Sequence, residues 1–108
     1  MSKSRKFAWT WTIKADRVEE YVALHAEPWP EVLEEHARAG IRNYSIFRSG
    51  NRFFYCFECD DVERAFAYLA ESEACRRWNA VTSEMVEGSF DLNEPEPIRP
   101  MEEVFYLQ

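Results

Sequence analysis

Between Lys6 and Ala15 the chain alternates strictly, with Phe7, Trp9, Trp11 and Ile13 on one side and Ala8, Thr10, Thr12 and Lys14 on the other. A period of two residues belongs to a strand, because successive side chains there point to opposite faces. The first element is therefore a strand with one bulky aromatic face, and whatever follows has to cover that face. Asp16 is a candidate helix N-cap, and Val18, Tyr21, Val22 and His25 recur at i, i+3, i+4 and i+7. That spacing puts the four on one helical stripe facing the sheet. Pro28 and Pro30, around Trp29, end the pattern, since proline lacks an amide hydrogen and restrains the residue before it. A second helical stretch is expected from Glu31 through Val32, Leu33, His36 and Ala37, stopped by Gly40.

Ile41–Arg48 and Arg52–Cys59 read as two strands joined at Ser49-Gly50-Asn51, a hairpin composition. Asp60 and Asp61 can cap a helix carrying Val62, Ala65, Phe66 and Leu69, and Cys75, Trp78, Thr82 and Met85 continue the helical spacing. Gly88–Pro100, with Pro95, Pro97 and Pro100, is a loop, and Val104–Leu107 is expected to be the last strand. The order β-α-β-β-α-β defines an α+β fold: a ferredoxin-like sandwich with an antiparallel four-stranded sheet and helices on one face. The other face needs a cover. A symmetric homodimer burying the sheet faces that carry Phe7, Trp9, Trp11 and Ile13 or their neighbours is the expected solution.

At 108 residues the chain is one domain spanning 1–108, and 46% hydrophobic with 31% charged residues is a globular balance. The net charge of −7 disfavours nucleic-acid backbones and anionic membranes and suits neutral or cationic ligands. No charged-then-apolar leader opens the sequence, and no apolar run approaches the roughly 20 residues that cross a bilayer, so the expected location is the cytoplasm. Cys56, Cys59 and Cys75 are odd in number, and the first pair sits inside an apolar aromatic run without a second ligand pair. Buried structural thiols in a reducing compartment are expected, with no metal and no cofactor.

His25 stands out on its apolar stripe. Its structural alternative is a core histidine satisfied by a backbone carbonyl. Against that, Tyr21 lies one turn earlier and Trp29 four residues later, so an imidazole, a phenol and an indole share one neighbourhood. Aromatic faces beside polar edges equip a pocket for a sugar. His36, beside Glu35, reads as a partly exposed surface residue, and the Glu19-Glu20, Glu34-Glu35 and Asp60-Asp61 pairs read as solvated faces and caps.

Glu20-Tyr21 with His25, Trp29-Pro30-Glu31, Asn43-Tyr44-Ser45-Ile46, Arg77-Trp78 and Glu103-Val104-Phe105-Tyr106-Leu107 together resemble the L-rhamnose mutarotase family in order and spacing, over nearly the whole chain. The resemblance implies a dimeric α/β barrel that interconverts the α and β anomers of L-rhamnose or a related 6-deoxy-hexose. It implies His25 as the proton donor and Tyr21, Tyr44 and Trp78 as sugar-binding residues. One departure is Trp78-Asn79, where a form of the family has two adjacent tryptophans, and Ala26-Glu27-Pro28 departs as well. Asn79 is therefore a candidate for reading a sugar hydroxyl, and a shift toward L-fucose is the alternative substrate reading. The chemistry asks for one acid and one base, which a histidine titrating near neutrality can supply in turn. Its partner is open at this level among Tyr44, Glu103 and a water. Two other classes compete: a dimeric module that binds or senses a small sugar without turning it over, and a cofactor-independent monooxygenase on the same architecture.

Overall fold

The computed structural model describes residues 5–88 and 98–108. The chain runs β1 (Arg5–Thr12), a short 3₁₀ turn (Ala15–Arg17), α1 (Val18–Ala26), α2 (Pro30–Arg38), β2 (Arg42–Ser49), β3 (Arg52–Cys59), α3 (Val62–Glu71) and α4 (Glu73–Ser83). Alternation sets the strands and proline sets the helix breaks: α1 stops at Ala26 before Pro28, and α2 starts with Pro30 in its first turn, where no amide hydrogen is needed. Asp61 caps α3 by accepting from the Arg64 amide at 3.1 Å, and Ser72 caps α4 by accepting from the Cys75 amide at 3.2 Å. Asp16 caps nothing; it falls inside the 3₁₀ turn, and α1 begins after Arg17 without a side-chain cap.

The sheet is antiparallel in the order β1-β3-β2. Phe7 lies opposite Phe57, Trp9 opposite Tyr55 and Trp11 opposite Phe53, so the aromatic rows of both strands share a face. The helices cover that same face. Phe66 of α3 meets Phe7 edge-on at 5.1 Å between ring centroids, and Tyr21 of α1 meets Phe53 at 5.0 Å. The expected placement of Phe7, Trp9, Trp11 and Ile13 between two copies is therefore overturned. They belong to the core of a single chain, with Trp9 and Ile13 buried. A smaller cluster of Val32, Cys75 and Trp78 lies beneath α2 and α4. On α1, Val22 departs from the expected stripe and is exposed, while Leu24 packs on the core instead.

Among the described residues the sheet has three strands, not four. Val104–Leu107 forms no strand. The Met101 amide bonds to the Ala8 carbonyl at 2.7 Å, which brings the segment to the free edge of β1, yet no ladder continues from there. Its apolar residues stand out in solvent, with Val104 84% exposed and Leu107 80%. Tyr106 nonetheless holds to the chain through the Lys6 ammonium, 4.0 Å above its ring. The loop expected over Gly88–Pro100 lies mostly outside the described residues; Ile98–Pro100 carries no regular structure.

Pairing of β2 with β3 shifts between Arg42 and Ser45, which face Glu58 and Cys56, so β2 holds one residue more than its partner there. Asn43 takes up the kink with φ of +51°. Asparagine tolerates that left-handed region better than branched residues do. The bulge matters because Tyr44 follows it and turns toward Trp9 and Phe57. Asn43→Gly should leave stability within about 0.5 kcal/mol, whereas Asn43→Val should cost about 1–2 kcal/mol in urea unfolding, the scale of forcing a Cβ-branched residue into this region.

Candidate functional site

A cavity of about 560 Å³ opens between the aromatic face of the sheet and the helices, lined by Tyr21, His25, Tyr44, Tyr55, Trp78 and Asn79 among others. A second, of about 880 Å³, shares Tyr21, His25, His36, Tyr44 and Trp78 with it and extends along α1, α2 and β2 past Val22, Leu33 and Phe47. All five residues singled out in the sequence, Tyr21, His25, Tyr44, Trp78 and Asn79, thus meet on one cavity. Three elements deliver them. Tyr21 and His25 come from successive turns of α1, Trp78 and Asn79 from the middle of α4, and Tyr44 from β2 just past the bulge.

The imidazole of His25 is fixed from one side. Its Nδ1 lies 2.8 Å from the backbone carbonyl of Tyr21, and because a carbonyl only accepts, Nδ1 carries the hydrogen and Nε2 keeps a lone pair. The ring packs at 4.4 Å from Tyr21 and edge-on at 5.3 Å from Trp78, whose other side meets Trp29 at 5.1 Å. Burial lowers the His25 pKa below 6.5, partly opposed by the bond to the Tyr21 carbonyl. At neutral pH the group is therefore an uncharged imidazole with one nitrogen able to accept a proton.

Three phenols converge beside it. The Tyr21 and Tyr55 hydroxyls are 2.6 Å apart in the buried core. Burial pushes the Tyr21 hydroxyl up to about 12, an effect that its bond to Tyr55 opposes. The Tyr55 and Tyr44 hydroxyls are also raised by burial, and a charge on Tyr21 would raise both further. All three are neutral at working pH and act as hydrogen-bonding groups. Although Tyr44 keeps 38% of its surface exposed, its ring lies inward among Trp9, Phe57 and His36.

Sequence reasoning missed two residues of this neighbourhood. Tyr55 was hidden in the apolar alternation of β3; its signal was a phenol within a row otherwise made of Phe53, Phe57 and Cys59. His36 is partly exposed, as expected, but it also has a place in the site: its Nδ1 lies 2.7 Å from the Val32 carbonyl, and it lines both cavities near Tyr44. Glu103, one of the open choices for a catalytic partner, stands far from this role: it is exposed and pairs with Lys6 at 3.6 Å. Cys56 and Cys59 point to opposite faces of β3 and so cannot bridge each other, while Cys75 is buried under α2 and α4. Among the described residues no three His, Cys, Asp or Glu side chains gather as metal ligands, and no helix is long and apolar enough to cross a membrane.

A helix-covered antiparallel sheet with a neutral histidine in an aromatic, hydroxyl-lined cavity defines a small α+β protein built to hold a compact polar molecule. The family model for L-rhamnose mutarotase matches residues 6–107. Among relatives, the L-rhamnose mutarotase of Shouchella clausii is 33% identical over 96 residues, covering 85% of this chain and 88% of that protein. That of Lactiplantibacillus plantarum is 36% identical over 95 residues, with 85% and 88% covered. The crystal structure of an L-rhamnose mutarotase from Formosa agariphila superposes with a TM-score of 0.74 at 22% identity, covering 96% of this chain and 99% of that one. The tetracenomycin F2 cyclase of Streptomyces glaucescens, at a TM-score of 0.62 and 18% identity over 96% of both chains, shares the fold alone. The chain belongs to the L-rhamnose mutarotase family.

The lowered pKa of His25 has a consequence for stability. The unfolded chain takes up the proton near 6.5, before the folded protein does, so this group's contribution is present above that value and is lost as pH falls through the window down to the folded pKa. Thermal unfolding followed from about pH 7.5 to about pH 5 should show the wild type losing melting temperature more steeply than His25→Gln, which has no proton to gain.

Proposed function

We propose that His25 moves the proton in the interconversion of the α and β anomers of L-rhamnose, with Tyr21, Tyr44, Trp78 and Asn79 holding the sugar. One observation carries this assignment. The histidine whose Nδ1 is tied to the Tyr21 carbonyl leaves Nε2 as its free nitrogen, in a cavity walled by the other four residues. The resting imidazole starts as an acceptor, which refines the donor role implied by resemblance. Nε2 takes the proton of the anomeric hydroxyl as the C1–O1 double bond forms and the bond from C1 to the ring oxygen breaks. The ring oxygen receives a proton from a neighbouring hydroxyl. After rotation about C1–C2 the same steps run backwards on the other face of the carbonyl, and the imidazolium returns its proton. Acceptor in opening is donor in closing, so one histidine serves both halves.

Aromatic rings supply the rest of the site. The indole of Trp78 can pack on the C–H face of a pyranose, and the phenols can bond its hydroxyls. Asn79 offers a donor and an acceptor where a second indole would offer a surface and one N–H donor, so it is the position that would rank L-rhamnose against L-fucose. The net charge of −7 suits a neutral substrate. The two other readings, a non-catalytic sugar-sensing module and a cofactor-independent monooxygenase, gain no support from a proton-accepting histidine in such a site.

Two copies pairing through the uncovered side of the sheet complete this reading. That side carries Phe47, 66% exposed, beside Phe54 and Cys56, while the apolar Val104–Leu107 segment waits at the free edge of β1. A fourth strand laid along that edge would give the ferredoxin-like order, and two such sheets face to face would close a dimeric α/β barrel. The opposite-facing Cys56 and Cys59, unable to pair with each other, fit a reducing cytoplasm.

His25→Asn should fold, bind L-rhamnose and lose about a hundredfold or more of catalysed anomer exchange by saturation-transfer NMR; near-wild-type exchange would move the proton to another residue. In a wild type that binds sugar without exchanging it, the sensing reading would replace catalysis. Asn79→Trp should change the ratio of L-rhamnose to L-fucose exchange more than the rate on either, and equal effects on both would remove Asn79 from recognition. Sedimentation at micromolar concentration should give a dimer, and deletion of residues 104–108 should shift it toward monomer; a wild-type monomer would end the pairing proposal.

A further inference from the structure

We propose that Tyr55 is a positioning residue for this site: its hydroxyl donates to the hydroxyl of Tyr21 and so turns the proton of Tyr21 toward the cavity and the sugar. The proposal rests on the sugar-binding reading of Tyr21 and goes beyond it, because Tyr55 lies on β3, apart from every residue that the resemblance singled out.

Geometry comes first. The two hydroxyl oxygens are 2.6 Å apart, a short hydrogen bond between groups on elements 34 residues apart in sequence. The Tyr55 ring cannot swing away. It stacks on Trp9 at 4.8 Å with 4° between planes and meets Trp11 edge-on at 5.3 Å, and the residue is 2% exposed. Each phenol has one proton to give. If Tyr55 spends its proton on Tyr21, the Tyr21 proton is left for another acceptor, and Tyr21 lines both cavities.

Burial raises both hydroxyls, so near neutrality each phenol keeps its proton, and one of the two protons spans the 2.6 Å gap while the other is left for a further acceptor. Accepting a bond also makes Tyr21 a stronger donor, because successive hydroxyls polarise one another. The two-membered relay thus ends on a hydroxyl ready to bond the sugar, or to give the ring oxygen its proton as the ring opens.

A double-mutant cycle tests this. Tyr55→Phe removes the hydroxyl and keeps the ring, and should lower kcat/KM for L-rhamnose anomer exchange about tenfold, the scale of one hydrogen bond in a buried site. In a Tyr21→Phe background the same change should have almost no further effect. A purely structural Tyr55 would cost the same in both backgrounds, and that result overturns the proposal, as does an unaltered Tyr55→Phe enzyme. Independently of activity, tyrosine labelled at ¹³Cζ should show the Tyr21 hydroxyl titrating higher in Tyr55→Phe than in wild type. A lower or unchanged value rejects Tyr55 as the donor. Should Tyr55→Phe fail to fold, the wild type alone decides: a protected Tyr55 hydroxyl proton with a cross-peak to the Tyr21 ring supports the relay, and a rapidly exchanging one overturns it. A wild type that exchanges no sugar fails the proposed function, while the ¹³C titration still reads the hydroxyl pair.

Discussion

The register of β1 on β3 decides where everything else goes. Trp9 sits opposite Tyr55 and Trp11 opposite Phe53, so four large rings are forced onto one side of two adjacent strands. A shift of one residue would send the row to the other face, which is why register is strongly specified wherever one face is buried. With this register the helices have an aromatic floor to pack on, and the cavity lies above it. Its polar groups are supplied by the few hydroxyls and the imidazole that the aromatic rows and stripes include.

That register also explains which parts of the structure were legible in the sequence. Period-two alternation over Lys6–Ala15, the hairpin composition before Arg52–Cys59, prolines at 28 and 30, and the Asp61 cap each encode a local decision, and each is present in the fold, although β1 already ends at Thr12. The side on which a strand's rings are covered is no local matter. Alternation says that Phe7, Trp9 and Trp11 share a face; only the helices say whether that face belongs to the chain's own core or to a neighbour. Val104–Leu107 failed for a related reason: it has the residues of a strand, but a strand exists only where a partner supplies the ladder, and among the described residues the segment's backbone tie to β1 is the Met101–Ala8 bond, with Lys6 adding side-chain contacts to Glu103 and Tyr106.

The site residues divide in the same way. Tyr21 and His25 were visible because a single helix places them four residues apart, whereas the helical spacing of Trp78 announced only a helix and its place in the site came from the resemblance. Tyr44 needed the resemblance, since its orientation depends on an extra residue at Asn43 that no periodicity announces. Tyr55 was invisible because its phenol interrupts an apolar row by a single oxygen. His36 looked solvated beside Glu35, yet its Nδ1 is occupied by the Val32 carbonyl just as the Nδ1 of His25 is occupied by that of Tyr21.

Those two histidines use one helical device to different ends. In each, the ring turns back to a carbonyl one turn earlier, which fixes the tautomer and leaves Nε2 as the remaining nitrogen. What separates them is the surroundings. His25 lies between the rings of Tyr21 and Trp78, and its burial holds the charge off the imidazole, whereas His36 has the Tyr44 ring at 6.0 Å as its aromatic neighbour. A base for ring opening has to be neutral before it meets the sugar and must still release the proton afterwards. Burial meets the first need, since a proton taken up in a poorly solvated cavity is held at a cost. It meets the second for the same reason, because the imidazolium formed on opening is driven to give the proton back as the ring closes. A carboxylate so enclosed would be pushed toward its protonated form and lose its basicity near neutrality. The chain has 20 acidic residues, and the walls of the smaller cavity nonetheless include only Glu63 among the described ones.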